Sequence, residues 1–98
     1  MLCMPEGTKA YICLEPTDMR RSFDKLSVMV EEHIGQDPTS GHMFLFRNRN
    51  ANLLKILYWD GSALCLWYKR LTRGHFSIKP GISADFEITE AMFYDLIS

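Results

Sequence analysis

Apolar residues recur at Met19, Phe23, Leu26, Val30 and Ile34, spaced 4, 3, 4 and 4. That is the period of one helical stripe. Gly35 follows, where a left-handed residue ends many helices. Thr17 or Asp18 precedes it as an N-cap, with the Asp18 charge placed to meet the positive end of the helix dipole. Arg21, Asp24, Lys25, Glu31 and Glu32 fall opposite the stripe as a solvated face. The spacing thus predicts a helix from Met19 to Ile34. Elsewhere the period is closer to two, which predicts strands over Lys9–Leu14, His42–Asn48, Leu53–Trp59, Ser62–Leu71 and His75–Ile78. Pro16 ends the first strand and Pro80-Gly81 the last. Turn formers at Gln36–Gly41, Arg49–Asn52, Asp60-Gly61 and Arg73-Gly74 separate these runs. Finally, Thr89 caps a short helix with Met92, Phe93, Leu96 and Ile97 on one side.

These elements make one α+β domain over residues 1–98, a four- to five-stranded antiparallel meander packed by one long helix, plus a short C-terminal helix. Asp60-Gly61 is a strong hairpin signal. As a two-residue turn it sets Tyr58 opposite Ala63, Ile56 opposite Cys65 and Leu54 opposite Trp67. One face then holds Leu54, Ile56, Tyr58, Ala63, Cys65 and Trp67, and the other Lys55, Leu57, Trp59, Leu64, Leu66, Tyr68 and Arg70. A three-residue turn with a bulge would exchange Lys69 and Arg70 between faces. We expect the long helix on the Leu54/Ile56/Trp67 face, with Phe23 and Trp67 largely buried. For the second face two readings stand: the C-terminal helix covers it, or it is a partner surface.

Composition narrows the class. A chain of 98 residues with 47% apolar and 23% charged positions is long enough for one core. No apolar run approaches the roughly 18 residues of a membrane span, and Met1–Glu6 has no signal character, so we expect a cytoplasmic protein away from the membrane. Cys3, Cys13 and Cys65 form no paired spacing and fit reduced thiols. A zinc site from Cys65, His42 and His75 lacks ligand spacing, and neither a metal nor a cofactor is expected. Net charge is −1, but its distribution is uneven: residues 1–40 carry −3, residues 41–82 carry +6 and residues 83–98 carry −4. The strand-rich middle is basic between acidic flanks.

Several motifs occur in order: Thr17-Asp18-Met19-Arg20-Arg21-Ser22, then Asp37-Pro38-Thr39-Ser40-Gly41-His42-Met43-Phe44-Leu45-Phe46-Arg47-Asn48-Arg49, then Lys55-Ile56-Leu57-Tyr58-Trp59-Asp60-Gly61, then Leu66-Trp67-Tyr68-Lys69-Arg70-Leu71, with Gly74 and Phe76 beyond. Over about residues 9–78 the chain resembles the small accessory proteins of the insertion sequence 66 family. Their label, TnpB, is shared with an unrelated RNA-guided nuclease. The family's usual ending, a helix and then a Gly-containing, Trp-terminated segment, has no counterpart after Asp95-Leu96-Ile97-Ser98. The tail therefore reads as divergent or truncated. The resemblance implies a bacterial mobile-element protein made beside a separate, larger transposase that carries the catalytic acidic triad. The transposase and another small accessory product are the implied partners.

The residues themselves offer no catalytic set. Asp18 and Asp24 are six apart on one helix and face different ways, Asp60 is a turn residue, and no phosphate-cradling glycine loop occurs. Binding has better material. Arg47, Arg49, Lys55, Lys69, Arg70 and Arg73 lie on or beside adjacent strands, interleaved with Trp59 and Tyr68. Cations neutralise phosphates and exposed rings stack on unpaired bases. Basic strand ends also serve simply to guard sheet edges, and aromatic and Arg enrichment equally marks protein interfaces. The sequence therefore leaves DNA binding and transposase docking side by side.

Overall fold

The computed structural model describes residues 2–78 and 86–98. The chain runs β1 (Ala10–Ile12), α1 (Phe23–Met29) with a wider continuation (Val30–Ile34), β2 (Met43–Arg47), β3 (Leu53–Trp59), β4 (Leu64–Arg70), β5 (Glu87–Ile88) and α2 (Glu90–Ile97). One five-stranded sheet has the order β4-β3-β2-β1-β5. β2, β3 and β4 form the antiparallel meander that the period-two runs predict. The sheet as a whole is mixed, because β1 joins β2 in parallel, with Tyr11 beside Phe44. A chain that leaves β1 and returns through a helix re-enters the sheet in the same direction, which a hairpin cannot do. β5 then pairs antiparallel with β1 on its far side. His75–Ile78 is not a strand. That segment is tied instead to the β2–β3 turn, with Phe76 N–H donating to the Ala51 carbonyl and Phe76 buried in the core. The Pro80-Gly81 stop lies outside the described residues.

The helices take the opposite faces from those expected. Leu26, Met29, Val30 and Ile34 pack on Tyr11, Cys13, Phe44, Phe46 and Leu57. On the other side Phe93, Leu96 and Ile97 of α2 pack on Met43, Leu45, Leu54 and Ile56, with Trp67 half-buried against them. A parallel crossover is right-handed in nearly all proteins, so the strand order decides which face its helix covers. Periodicity alone carries no such information. The C-terminal helix therefore covers the Leu54/Ile56 face, and it is α1 that packs on the second face, around Leu57.

The ends of α1 separate local from tertiary signals. Gly35 closes the helix at φ 75°, as its position predicts. Neither Thr17 nor Asp18 caps it. Thr17 is buried, with its N–H on the Arg47 carbonyl at 2.8 Å. Asp18 closes its own turn, accepting the Arg20 N–H at 2.9 Å, and the helix begins after Ser22. This late start leaves Phe23 outside the buried stripe, 40% exposed rather than in the core. Thr89 does cap α2, its hydroxyl accepting from Met92 N–H at 3.1 Å.

The β3–β4 hairpin has the expected sides in a shifted register. Tyr58 faces Cys65, Ile56 faces Trp67 and Leu54 faces Lys69. The turn is centred one residue later than Asp60-Gly61, with Asp60 N–H donating to the Ala63 carbonyl and Gly61 at φ 104°. A slip of two keeps every side chain on its own face. The Asp60 carboxylate drives the shift by accepting the N–H groups of Ser62 and Ala63, both at 2.8 Å.

Those N–H groups, Ser62 first and Ala63 second, hold the Asp60 carboxyl down to about 2. A depressed folded-state value stabilises the fold above the ordinary carboxylate range, and this contribution disappears as pH falls through about 2. Acid titration of Asp60→Asn should therefore show a shallower loss of stability between about pH 4 and pH 2 than wild type, an interval set by that shift. Coincident acid curves would mean that the turn does not use the charge.

Candidate functional site

Three connections meet at one end of the sheet. β2 ends at Arg47, β3 starts at Leu53 and β4 ends at Arg70 opposite Leu53. β1 runs parallel to β2, so its exit, residues 14–21, reaches the same end. The joins are specific. Thr17 N–H donates to the Arg47 carbonyl, and Arg47 Nη2 donates to the Leu14 carbonyl at 2.8 Å. Leu71 N–H donates to the Asn52 carbonyl at 2.8 Å, and His75 Nδ1 lies 2.7 Å from the Asn50 carbonyl.

The β2–β3 turn is held from inside by amide side chains. Asn48 Oδ1 accepts the N–H groups of Asn52 and Leu53, both at 3.0 Å, while Asn48 Nδ2 donates to Asn52 Oδ1 at 2.6 Å. Ala51 takes a left-handed φ of 53° in this turn. The turn fixes Arg49 as an exposed tip.

Every arginine of the chain belongs to these connections or the strand ends that feed them: Arg20, Arg21, Arg47, Arg49, Arg70 and Arg73. Against them stand Glu15 and Asp18, with Asp95 of α2 at the margin beside His75. Asp18 is held well below the usual carboxylate range by the Arg20 guanidinium, 2.7 Å away, so that pair largely cancels. Arg49, Arg70 and Arg73 are exposed, and no ion pair involves them among the described residues. Tyr68 sits two residues before Arg70 on the same side of β4, 52% exposed.

The remaining sequence candidates have other places. Lys55 is buried at 6% exposure, its Nζ donating to the carbonyls of Met19 at 2.7 Å and Arg21 at 2.8 Å. The same ammonium lies 5.0 Å from the centre of the Tyr68 ring. Burial pushes its pKa down, and the Asp18 charge offsets part of that shift. Lys55 is thus a tie between sheet and loop, out of reach of a phosphate. Lys69 points to the other face and donates to the Ile97 and Ser98 carbonyls at the end of α2. Trp59 lies at the far end of β3, opposite Leu64. Six strand steps, about 20 Å, separate it from the arginines. Arg20 and Arg21 were missed because their approach to the meander depends on β1 running parallel to β2. Their adjacency in the chain was the available signal.

The IS66 Orf2-like protein family model matches residues 8–98. The chain belongs to this family. The match takes in the C-terminal helix, which the ordered motifs do not cover. Two Sinorhizobium fredii proteins of strain NGR234 are similar to it. The uncharacterized protein y4hO is 40% identical over 76 residues, covering 78% of this chain and 66% of that protein. The uncharacterized protein y4jC is 32% identical over 80 residues, covering 82% of this chain and 68% of that protein. The chain thus spans about two thirds of the length of these relatives. No solved structure matches it. Among the described residues no helix is long and apolar enough to cross a membrane.

Lys55→Met keeps most of the unbranched apolar stem and removes the donor. The Met19 and Arg21 carbonyls then lose a charge-assisted partner, at a cost of about 1.5–3 kcal/mol. Urea unfolding should show that loss. A change within about 0.5 kcal/mol, the range of ordinary surface substitutions, would show that the tie is dispensable.

Proposed function

We propose that this chain is a non-catalytic accessory protein of insertion-sequence transposition that holds DNA by its phosphate backbone. The observation that carries the reading is the gathering of arginines from three connections at one end of a rigid sheet. Phosphate contacts need cations that are exposed, unpaired and set on a fixed frame, since they position the protein without reading sequence. Arg49, Arg70 and Arg73 meet those conditions, and Tyr68 offers a ring to an unpaired base. The mean charge of the molecule does not oppose this, because the acidic residues outside this end lie mainly on α1, α2 and the distal turns. The carboxylates that a nuclease would need are committed elsewhere. Asp18 is paired with Arg20 and Asp60 with its own turn. Among the described residues no three His, Cys, Asp or Glu groups converge as metal ligands. Strand transfer then falls to a separate transposase, and this protein works beside it on the DNA.

The test is the triple substitution Arg49→Glu, Arg70→Glu and Arg73→Glu. Strand-end charges contribute little to stability, so circular dichroism should be unchanged. Wild-type affinity for element-end DNA should fall steeply with salt, and each lost phosphate contact should reduce the log–log slope by about 0.9. The triple variant should lose binding and fail in a transposition reporter. A folded variant that still binds DNA with the wild-type slope and supports transposition would refute the reading. Negligible DNA binding by wild type, with transposase co-purification lost in the variant, would replace it with a protein-docking role.

A further inference from the structure

β4 is the end strand of the sheet, and no described strand pairs with its outer side. Its inward bonds follow from the register. Ala63 pairs with Asp60 and Leu71 with Asn52, so alternate residues Leu64, Leu66, Tyr68 and Arg70 turn their N–H and C=O groups outward. An edge of seven residues, apolar until Lys69 and without proline, is what soluble proteins usually blunt. The opposite edge, β5, has only two residues.

We propose that two copies of this chain pair antiparallel through β4, forming a two-fold dimer with a continuous sheet. Three features of the strand select a second copy. First, the parity fits. With Trp67 on the two-fold axis, Leu64 meets Arg70 of the second copy and Leu66 meets its Tyr68. These outward-facing residues can exchange both backbone bonds over the full strand. Second, the charges fit. In this pairing Lys69 meets Cys65 of the second copy on the α2 side, where the Asp60 carboxylate lies 3.5 Å from Cys65 Sγ, so each Lys69 approaches an Asp60 of the second copy. Asp60 stays anionic there, since its carboxylate accepts hydrogen bonds from the Ser62 and Ala63 N–H groups. Third, the contact closes. An isologous pairing consumes the one long edge, and the short β5 edge cannot propagate a filament. The dimer carries two arginine ends about 20 Å apart along the strand direction. It does not depend on what those arginines bind.

Wild-type protein without DNA or transposase should sediment at twice the 11.4 kDa chain mass at micromolar concentration. Tyr68→Pro removes an outward N–H and leaves the β3 ladder bonds in place, so it should be a folded monomer. A Trp67→Cys variant, in a background with Cys3→Ser and Cys65→Ser, supplies a second measurement that does not rely on Tyr68→Pro folding. Facing Cα atoms in a non-hydrogen-bonded pair lie about 4.5 Å apart, within disulfide range. Trp67→Cys should therefore cross-link on mild oxidation, while Arg70→Cys in the same background should not. A monomeric wild type overturns the proposal and leaves the edge to another protein's strand. It is equally overturned by a dimer that survives in folded Tyr68→Pro, or by equal cross-linking at both cysteine positions.

Discussion

A buried ammonium group must find oxygen atoms, and in this protein that need organises the fold. Lys55 sits in the middle of the meander with its side chain under α1, where burial already lowers its affinity for a proton. The carbonyls of Met19 and Arg21 meet it at 2.7 and 2.8 Å. Releasing that loop would leave a cation without partners in an apolar layer, which costs more than the bonds themselves contribute. The β1–α1 connection is thereby pinned to the sheet at one place. From that place the stripe Leu26, Val30, Ile34 falls on Phe44, Phe46 and Leu57.

The same tie explains why charge collects at one end. With the connection fixed, Arg20 and Arg21 reach the end where β2 and β4 already place Arg47 and Arg70. The Asn48–Asn52 bonds then set Arg49 at the tip of the neighbouring turn. The opposite end holds Asp37 and Asp60, each closing a turn by accepting N–H groups. Both carboxyls are held below their ordinary values by those bonds. A chain of net charge −1 thus becomes electrically polar along its strands. Such polarity orients a protein toward a polyanion even when its total charge does not.

What the sequence showed and what it hid divide along a physical line. The Leu26/Val30/Ile34 stripe, the Gly35 stop, the Thr89 cap and the sides of the β3–β4 hairpin depend on local period and turn chemistry, and all were legible. The face chosen by α1 was not, because it follows from strand order and crossover handedness. Phe23 illustrates the cost of a misplaced start, since the Asp18 turn delays the helix and carries that ring out of the core. Among the candidate residues, Arg49, Tyr68, Arg70 and Arg73 could be placed from the sequence as exposed positions at strand ends and turns. Lys55 and Lys69 could not, because a lysine's role depends on which carbonyls lie within reach in three dimensions. Trp59 shares a hairpin face with Tyr68 and Arg70, yet strand direction sends it to the far end.

The proposed DNA contact depends on three connections meeting at the arginine end. Amide chemical-shift mapping during titration with a short DNA duplex tests it most directly. The perturbed amides should cluster in residues 14–21, 47–52 and 70–76, and the distal turns at 36–42 and 60–63 should stay still. Shifts centred on the Asp60 turn, or no saturable shifts at low salt, would contradict it.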